Sequence, residues 1–323
     1  MIYLNEKNLK EIGVDWDETI NVIEDAVKAL GDKDFAQPIK PYLRYGDPKN
    51  RIIAMPAYVG GDVNKAGIKW IASFPDNIYH GIPRANSAVI LNKAETGEVE
   101  SVINTAKLSM IRTAAVTGLM IKYFEKNRDL KDLSVGIIGF GPIGQHHLSM
   151  CKEILGDKVS KYYLYDMRPI INAEELSKDI NAEIIVCDNW EEVYDNSDIF
   201  MACTVTDAPY VDKKPKKGAL ILNISLRDFK LEAYPYFKDT IIVDDWEEVC
   251  REKTTIEDWN IEYGLEEDEV KTIVDVVVNN CIKDYNVDQN IMFNPMGMAV
   301  FDVAMGAYYY KKAIETNKCT VLK

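Results

Sequence analysis

The run 134–147, Ser-Val-Gly-Ile-Ile-Gly-Phe-Gly-Pro-Ile-Gly-Gln-His-His, constrains the fold more than any other part of the chain. A short apolar stretch meets Gly139, Gly141 and Gly144 in G-x-G-x-x-G spacing, and a helix-like sequence follows. This pattern reads as a strand turning tightly into a helix. Gly139, Gly141, Pro142, Ile143 and Gly144 would then lay their backbone against a pyrophosphate at the helix N-terminus, an approach that a Cβ would block. A second apolar run, 161–165, ends in Asp166, about twenty residues past the last glycine, where a ribose-binding acid belongs. Such an acid accepts hydrogen bonds from both ribose hydroxyls and repels a 2′-phosphate. NAD is therefore expected over NADP, with Arg168 the nearby residue that complicates the preference.

A glycine turn beginning at residue 139 of 323 leaves room for another unit before it, and the length suits about two domains. The net charge of −14 argues against nucleic acid and anionic membrane surfaces as partners. Six cysteines are scattered without a C-x-x-C, so neither zinc nor a disulfide framework is expected. His146 and His147 follow the turn and read as surface or packing residues, not metal ligands. The opening residues lack the basic and apolar regions of a signal peptide, and no apolar run approaches the ~20 residues of a membrane span. A cytoplasmic location is the expectation.

Residues 15–31 carry Ile20, Ile23, Ala26, Val27 and Leu30 at helical spacing and stop at Gly31. Strands are predicted at 51–59, 66–74, 86–92 and 98–104, giving a mostly antiparallel sheet, and a strong helix at 106–124. From 134 the rhythm becomes strand, helix, strand, with strands at 134–139, 161–165, 183–187, 198–203, 218–224 and 240–244, which suits a parallel sheet with crossover helices. The acidic stretch 246–290 is hard to assign, with a helix expected to open over 262–270. The last helix, ending near 316, is expected to pack back on the first domain. The fold class is α/β: a doubly wound parallel sheet plus a discontinuous α+β domain, divided as 1–117 with 295–323, and 118–294.

Positive side chains in the first domain stand out. Lys69 lies on a strand between Ile68 and Trp70 and so points to the other face, as a solvated residue or a pocket residue. Arg112 sits early in the 106–124 helix, at the end that favours anions, where a bidentate guanidinium makes a carboxylate clamp; a structural salt bridge is the competing reading. In a parallel sheet, residues at the carboxyl ends of strands line the cofactor crevice. That rule selects Cys203, Thr204, Val205 and Thr206 after one strand, and Asn223, Ser225 and Asp228 after the next. Asp228 is a candidate general base, or else a turn or capping residue; Asp244 and Asp245 carry the same ambiguity.

At these residues, and through most of its length, the chain resembles the ornithine cyclodeaminase/μ-crystallin family; Ile111-Arg-Thr-Ala-Ala is the most recognisable segment. The resemblance implies a substrate and dimerisation domain, a Rossmann domain, and a last helix returning to the first. It places basic substrate residues at Arg44, Lys69 and Arg112, the catalytic aspartate at Asp228, and further cofactor contacts at Asn294, Met296 and Gly297. Runs such as 37–44, 203–210 and 294–299 resemble members that oxidise a C–N bond of an amino-acid-derived secondary amine with NAD, releasing 2,3-diaminopropionate and 2-oxoglutarate for siderophore synthesis. Met55 stands where ornithine cyclodeaminases carry a glutamate, so a distal amine lacks its acidic partner; the family's Glu-Leu-Gly and Pro-Gly-Arg elements are absent between 262 and 290. Other expectations are an ornithine cyclodeaminase, a ketimine or alanine dehydrogenase, or a non-catalytic dinucleotide-binding protein. A homodimer through the first domain is implied.

Overall fold

The structure, a computed structural model, describes residues 1–171, 176, 181–206 and 208–322. The chain divides into two units, Met1–Val116 with Gly297–Lys323, and Thr117–Met296.

The first unit is built on a sheet whose strands run in the order Thr320–Val321, Ile2–Asn5, Val99–Asn104, Ala85–Lys93, Lys65–Ser73, Arg51–Val59 and Phe35–Ala36, with Tyr42–Leu43 also paired to Arg51–Val59. Pairing is antiparallel except where Ile2–Asn5 runs parallel to Val99–Asn104. The register sets the faces: Met55 lies opposite Lys69, and Lys69 opposite Val89. Side chains alternate across a strand, so Met55, Lys69, Val89 and Ile103 share one face and are buried. The helix Ala299–Glu315 packs on these strands and on the helix Trp16–Gly31. Trp16–Gly31 begins at Asp15, whose carboxylate accepts from the Glu18 N–H, and buries Ile20, Ile23, Val27 and Leu30 along one stripe. The last helix thus belongs to the first unit.

The second unit has an all-parallel sheet in the order Glu183–Val186, Val159–Tyr165, Leu133–Ile138, Ile199–Ala202, Leu220–Asn223, Ile291–Asn294, Ile241–Val243 and Lys271–Thr272. Chain order reverses on either side of Leu133–Ile138, so the crevice beyond its carboxyl end is where a doubly wound sheet takes its ligand. The α/β expectation holds. Two details differ from it. Ile291–Asn294, absent from the expected strands, is inserted between 220–223 and 241–243. The span 262–270 is not one helix: Thr255–Tyr263 ends at Gly264 in the left-handed conformation, a short 3-10 turn Glu267–Glu269 follows, and Thr272 caps a new helix Ile273–Asn279. Among the described residues, no helix is long and apolar enough to cross a membrane.

Candidate active site

In the first unit, strand alternation turns Lys69 toward the last helix while Trp70 faces outward. The ammonium is buried and lies 2.8 Å from Asp302 Oδ2. Arg112, from the helix Lys107–Lys126, donates its Nε–H to Asp302 Oδ1 at 2.9 Å. Asp302 is fully buried on the last helix. Lys40 is also buried and donates to the carbonyl of Gly297 at 2.9 Å. Arg112's guanidinium lies so close to Gly297 that a Cβ there would sit 2.5 Å from Nη1. The solvated reading of Lys69 therefore gives way to a buried one, and the salt-bridge reading of Arg112 is realised with Asp302. Arg44 is exposed, with its guanidinium 5.0 Å from the centre of the Tyr42 ring, outside this buried group.

Burial drives the Lys69 ammonium down to about 7; Asp302 opposes the shift, while Arg112 and Lys40 add to it. Burial also works against the charge on Asp302, but Arg112 and Lys69 together hold its carboxyl below the usual range. Two buried basic side chains, Lys69 and Arg112, share the one Asp302 carboxylate, so a carboxylate-bearing ligand would balance the remaining positive charge.

In the second unit, the glycine turn is held shut by its own backbone. Gly139 has φ +85°, and its N–H donates to the Tyr165 carbonyl at 2.8 Å. A Cβ on Gly144 would lie 2.3 Å from the Gly139 carbonyl oxygen. The helix Pro142–Leu155 starts at Gly141 with no side chain capping its N–H groups, and Pro142 and Ile143 form its first turn. Those donors are left for an anion. Asp166 ties turn to strand: Oδ2 accepts from Phe140 N–H at 2.8 Å, and Oδ1 from Arg168 N–H at 2.9 Å. Arg168 Nε also approaches Oδ1 at 3.3 Å, partly offsetting the acid's charge.

Asp228 follows the strand Leu220–Asn223 and is fully buried. Its Oδ1 accepts from the hydroxyls of Thr204 and, at 2.9 Å, Tyr210, while Oδ2 accepts from Ser225. Burial first, then the Asp228 charge, raises the Tyr210 phenol, which keeps it a donor. The turn carrying Asp228 is fixed by Asn223, whose Oδ1 accepts from Leu226 N–H at 3.2 Å and whose Nδ2 donates to Asn294 Oδ1 at 2.8 Å. Cys203 N–H pairs with the Ile138 carbonyl at 2.8 Å, Val205 is exposed, and Thr206 Oγ1 donates to the Ala208 carbonyl. Asp244 is a positioning group: Oδ1 accepts from Met296 N–H at 3.0 Å, and Asp245 caps the helix Trp246–Val249. His147 is a buried packing residue. Among the described residues, no group of three His, Cys, Asp or Glu could hold a metal.

Sequence reasoning missed Asp302 and Lys40. The signal for Asp302 was an acid in the apolar first half of the last helix, where burial demands a cationic partner.

Residues 4–317 match the model of the ornithine cyclodeaminase/mu-crystallin family. The chain belongs to this family. The N-((2S)-2-amino-2-carboxyethyl)-L-glutamate dehydrogenase of Staphylococcus aureus is 34% identical, over 100% of this chain and 98% of that protein. The alanine dehydrogenase of Archaeoglobus fulgidus is 27% identical over 96% of this chain and 94% of that one. The solved structure of Thermococcus litoralis Delta(1)-pyrroline-2-carboxylate reductase in complex with NADH and L-proline superposes with a TM-score of 0.90 at 24% identity, covering 100% of both chains. This family fold is shared across that distance.

Proposed function

We propose that the chain is an NAD-dependent dehydrogenase that cleaves N-(2-amino-2-carboxyethyl)-L-glutamate oxidatively to 2,3-diaminopropionate and 2-oxoglutarate. The observation that carries this reading is the register of Met55 against Lys69 on the buried sheet face. The place where a cyclodeaminase would offer an acid to a distal amine is apolar, and the buried group beside it is cationic. That favours a substrate whose ends are carboxylates. The full-length similarity to the Staphylococcus aureus enzyme supports the same choice.

The uncapped helix start, the close-packed glycines and Asp166 fit a dinucleotide, and Cys203, Thr204, Asn223, Ser225 and Asn294 would line the sheet end beside it. Bound there, NAD supplies a hydride acceptor for the substrate's α-carbon. Lys69 and Arg112 would hold a carboxylate, and Lys69 Nζ, poised near neutrality, can hold or release a proton. Exposed Arg44 would meet a further carboxylate. Asp228 would act as the base through its hydroxyls: Thr204, Ser225 or Tyr210 passes a proton inward to the carboxylate while taking one from a water. Orienting the reacting carbon is the main contribution of the charged contacts. The first unit would also make a homodimer, through the sheet face that carries Ile52, Ile68, Trp70 and Ile90 and is turned away from the last helix. The acidic, C-x-x-C-free composition supports a cytoplasmic enzyme.

Incubation with NAD⁺ and the aminocarboxyethyl-glutamate should accumulate NADH and 2-oxoglutarate together. Ornithine in its place should give no net NADH, because a cyclodeaminase returns its hydride. Asp228→Asn should lower turnover by at least about 100-fold and leave NAD affinity unchanged. A flat NADH trace with the proposed substrate overturns the reading; NADH from alanine alone would turn it toward alanine dehydrogenase.

A further inference from the structure

Lys69 and Arg112 come from a strand and a helix, yet both end on the same carboxylate. Asp302 spends Oδ2 on the Lys69 ammonium at 2.8 Å and Oδ1 on the Arg112 Nε–H at 2.9 Å. All three side chains are buried, and Asp302 has no exposure at all. A fully buried carboxylate is costly unless both oxygens are engaged, so this one holds its two partners in a fixed relation.

We propose that Asp302 is a positioning residue, which holds the Lys69 ammonium and the Arg112 guanidinium side by side and governs the protonation of Lys69. It acts through Lys69 and does not itself meet the substrate. This assignment rests on the dehydrogenase reading for its catalytic meaning, but not for its electrostatics.

The groups facing Lys69 can be named element by element. The last helix offers Asp302. The helix Lys107–Lys126 offers Arg112 and the Ser109 hydroxyl, which accepts from Lys69 Nζ at 3.4 Å. The segment before the Tyr42–Leu43 strand offers Lys40, and the flanking strands offer apolar Met55 and Val89. Among these, Asp302 carries the one negative charge. Burial, Arg112 and Lys40 all favour the neutral amine; Asp302 favours the ammonium. Without it, Lys69 would be neutral through the physiological range and the two cationic side chains would lose their common tether.

The test reads Lys69 directly, with no substrate present. Protein labelled with ¹³C at the lysine ε-carbons is titrated by NMR, and the Lys69 signal is assigned by its loss in Lys69→Met. Asp302→Asn should move the Lys69 midpoint down by at least about one pH unit, a tenfold loss of proton affinity. A midpoint that stays where the wild type has it overturns the proposal and leaves Asp302 a structural tie. Should Asp302→Asn not fold, the double variant Asp302→Asn with Arg112→Met removes one buried charge of each sign. Asp302 touches the Lys69 ammonium directly, at 2.8 Å, so the midpoint should still fall; an unchanged one overturns the proposal equally.

Turnover supplies the second arm. In Asp302→Asn, the ionisation seen in kcat should move with the NMR midpoint while the NAD affinity stays as in the wild type. A kcat profile that does not move overturns the positioning role. If the wild type oxidises no candidate amine, the dehydrogenase reading falls, while the shifted NMR midpoint still supports the electrostatic assignment.

Discussion

At the scale of single residues, burial decides which ionisable groups do chemistry and which only hold the fold. His147 shows the second case. Its Nδ1 lies 2.8 Å from the Ile143 carbonyl, which can only accept, so Nδ1 carries the hydrogen and Nε2 accepts from Thr117 Oγ1 at 3.0 Å. Burial pushes the imidazole down to about 4 from its ordinary 6.5. Between those values the unfolded chain binds a proton that the folded chain does not, so stability falls as pH falls from about 6.5 to 4. The full contribution is on the order of 3 kcal/mol. Urea titrations across this window should show that slope in the wild type, and His147→Gln should flatten it; an unchanged slope would assign the acid sensitivity elsewhere. The same physics explains why Lys69 could be read two ways from sequence. Alternation told which strand face it shares, but nothing local told which face the last helix covers.

Among elements, the strand-to-helix turn at 139–144 was legible because its glycines answer to backbone geometry alone. A Cβ on Gly144 meets a backbone carbonyl, which cannot swing aside as a side-chain end can. Gly144→Ala should therefore open the turn, costing about 1–3 kcal/mol in stability and at least about tenfold in NAD affinity. Thermal melts and calorimetric NAD titration would check both, and a variant that binds NAD as the wild type does would show that the turn does not cradle the pyrophosphate. Less legible was Ile291–Asn294, four apolar-to-polar residues with no period to betray a strand. Its place in the sheet comes from long-range pairing with Leu220–Asn223 and Ile241–Val243. That pairing puts Asn294 against Asn223 and so braces the turn that holds Asp228. The acidic span 262–270 misled for a related reason: its helix-favouring glutamates follow a glycine stop and cap one another.

For the whole molecule, the first unit turns one sheet face away from the last helix. Ile52, Ala54, Pro56, Ile68 and Ile90 are half-buried there, and Trp70 is 44% exposed. An apolar face of this kind marks an association surface more often than a solvated one. Light scattering should give the mass of two chains for the wild type, and Trp70→Asp should shift it toward one; a wild-type monomer would remove the proposed homodimer. The Rossmann-like half of the chain and its glycine turn could be read from local pattern. The charged group of the first unit could be read only in part. Lys69 and Arg112 announced themselves by sign against an acidic background, whereas Asp302 is one acid among many in a chain of net charge −14.

The return of the last helix to the first unit also orders events during synthesis. Lys69 and Arg112 leave the ribosome long before Asp302, with the whole second unit made in the interval. Until the final helix arrives, the first sheet lacks both its apolar cover and the counter-charge for two cations destined for burial. A nascent chain can thus complete the sheet of its second unit before the buried charges of its first unit are balanced.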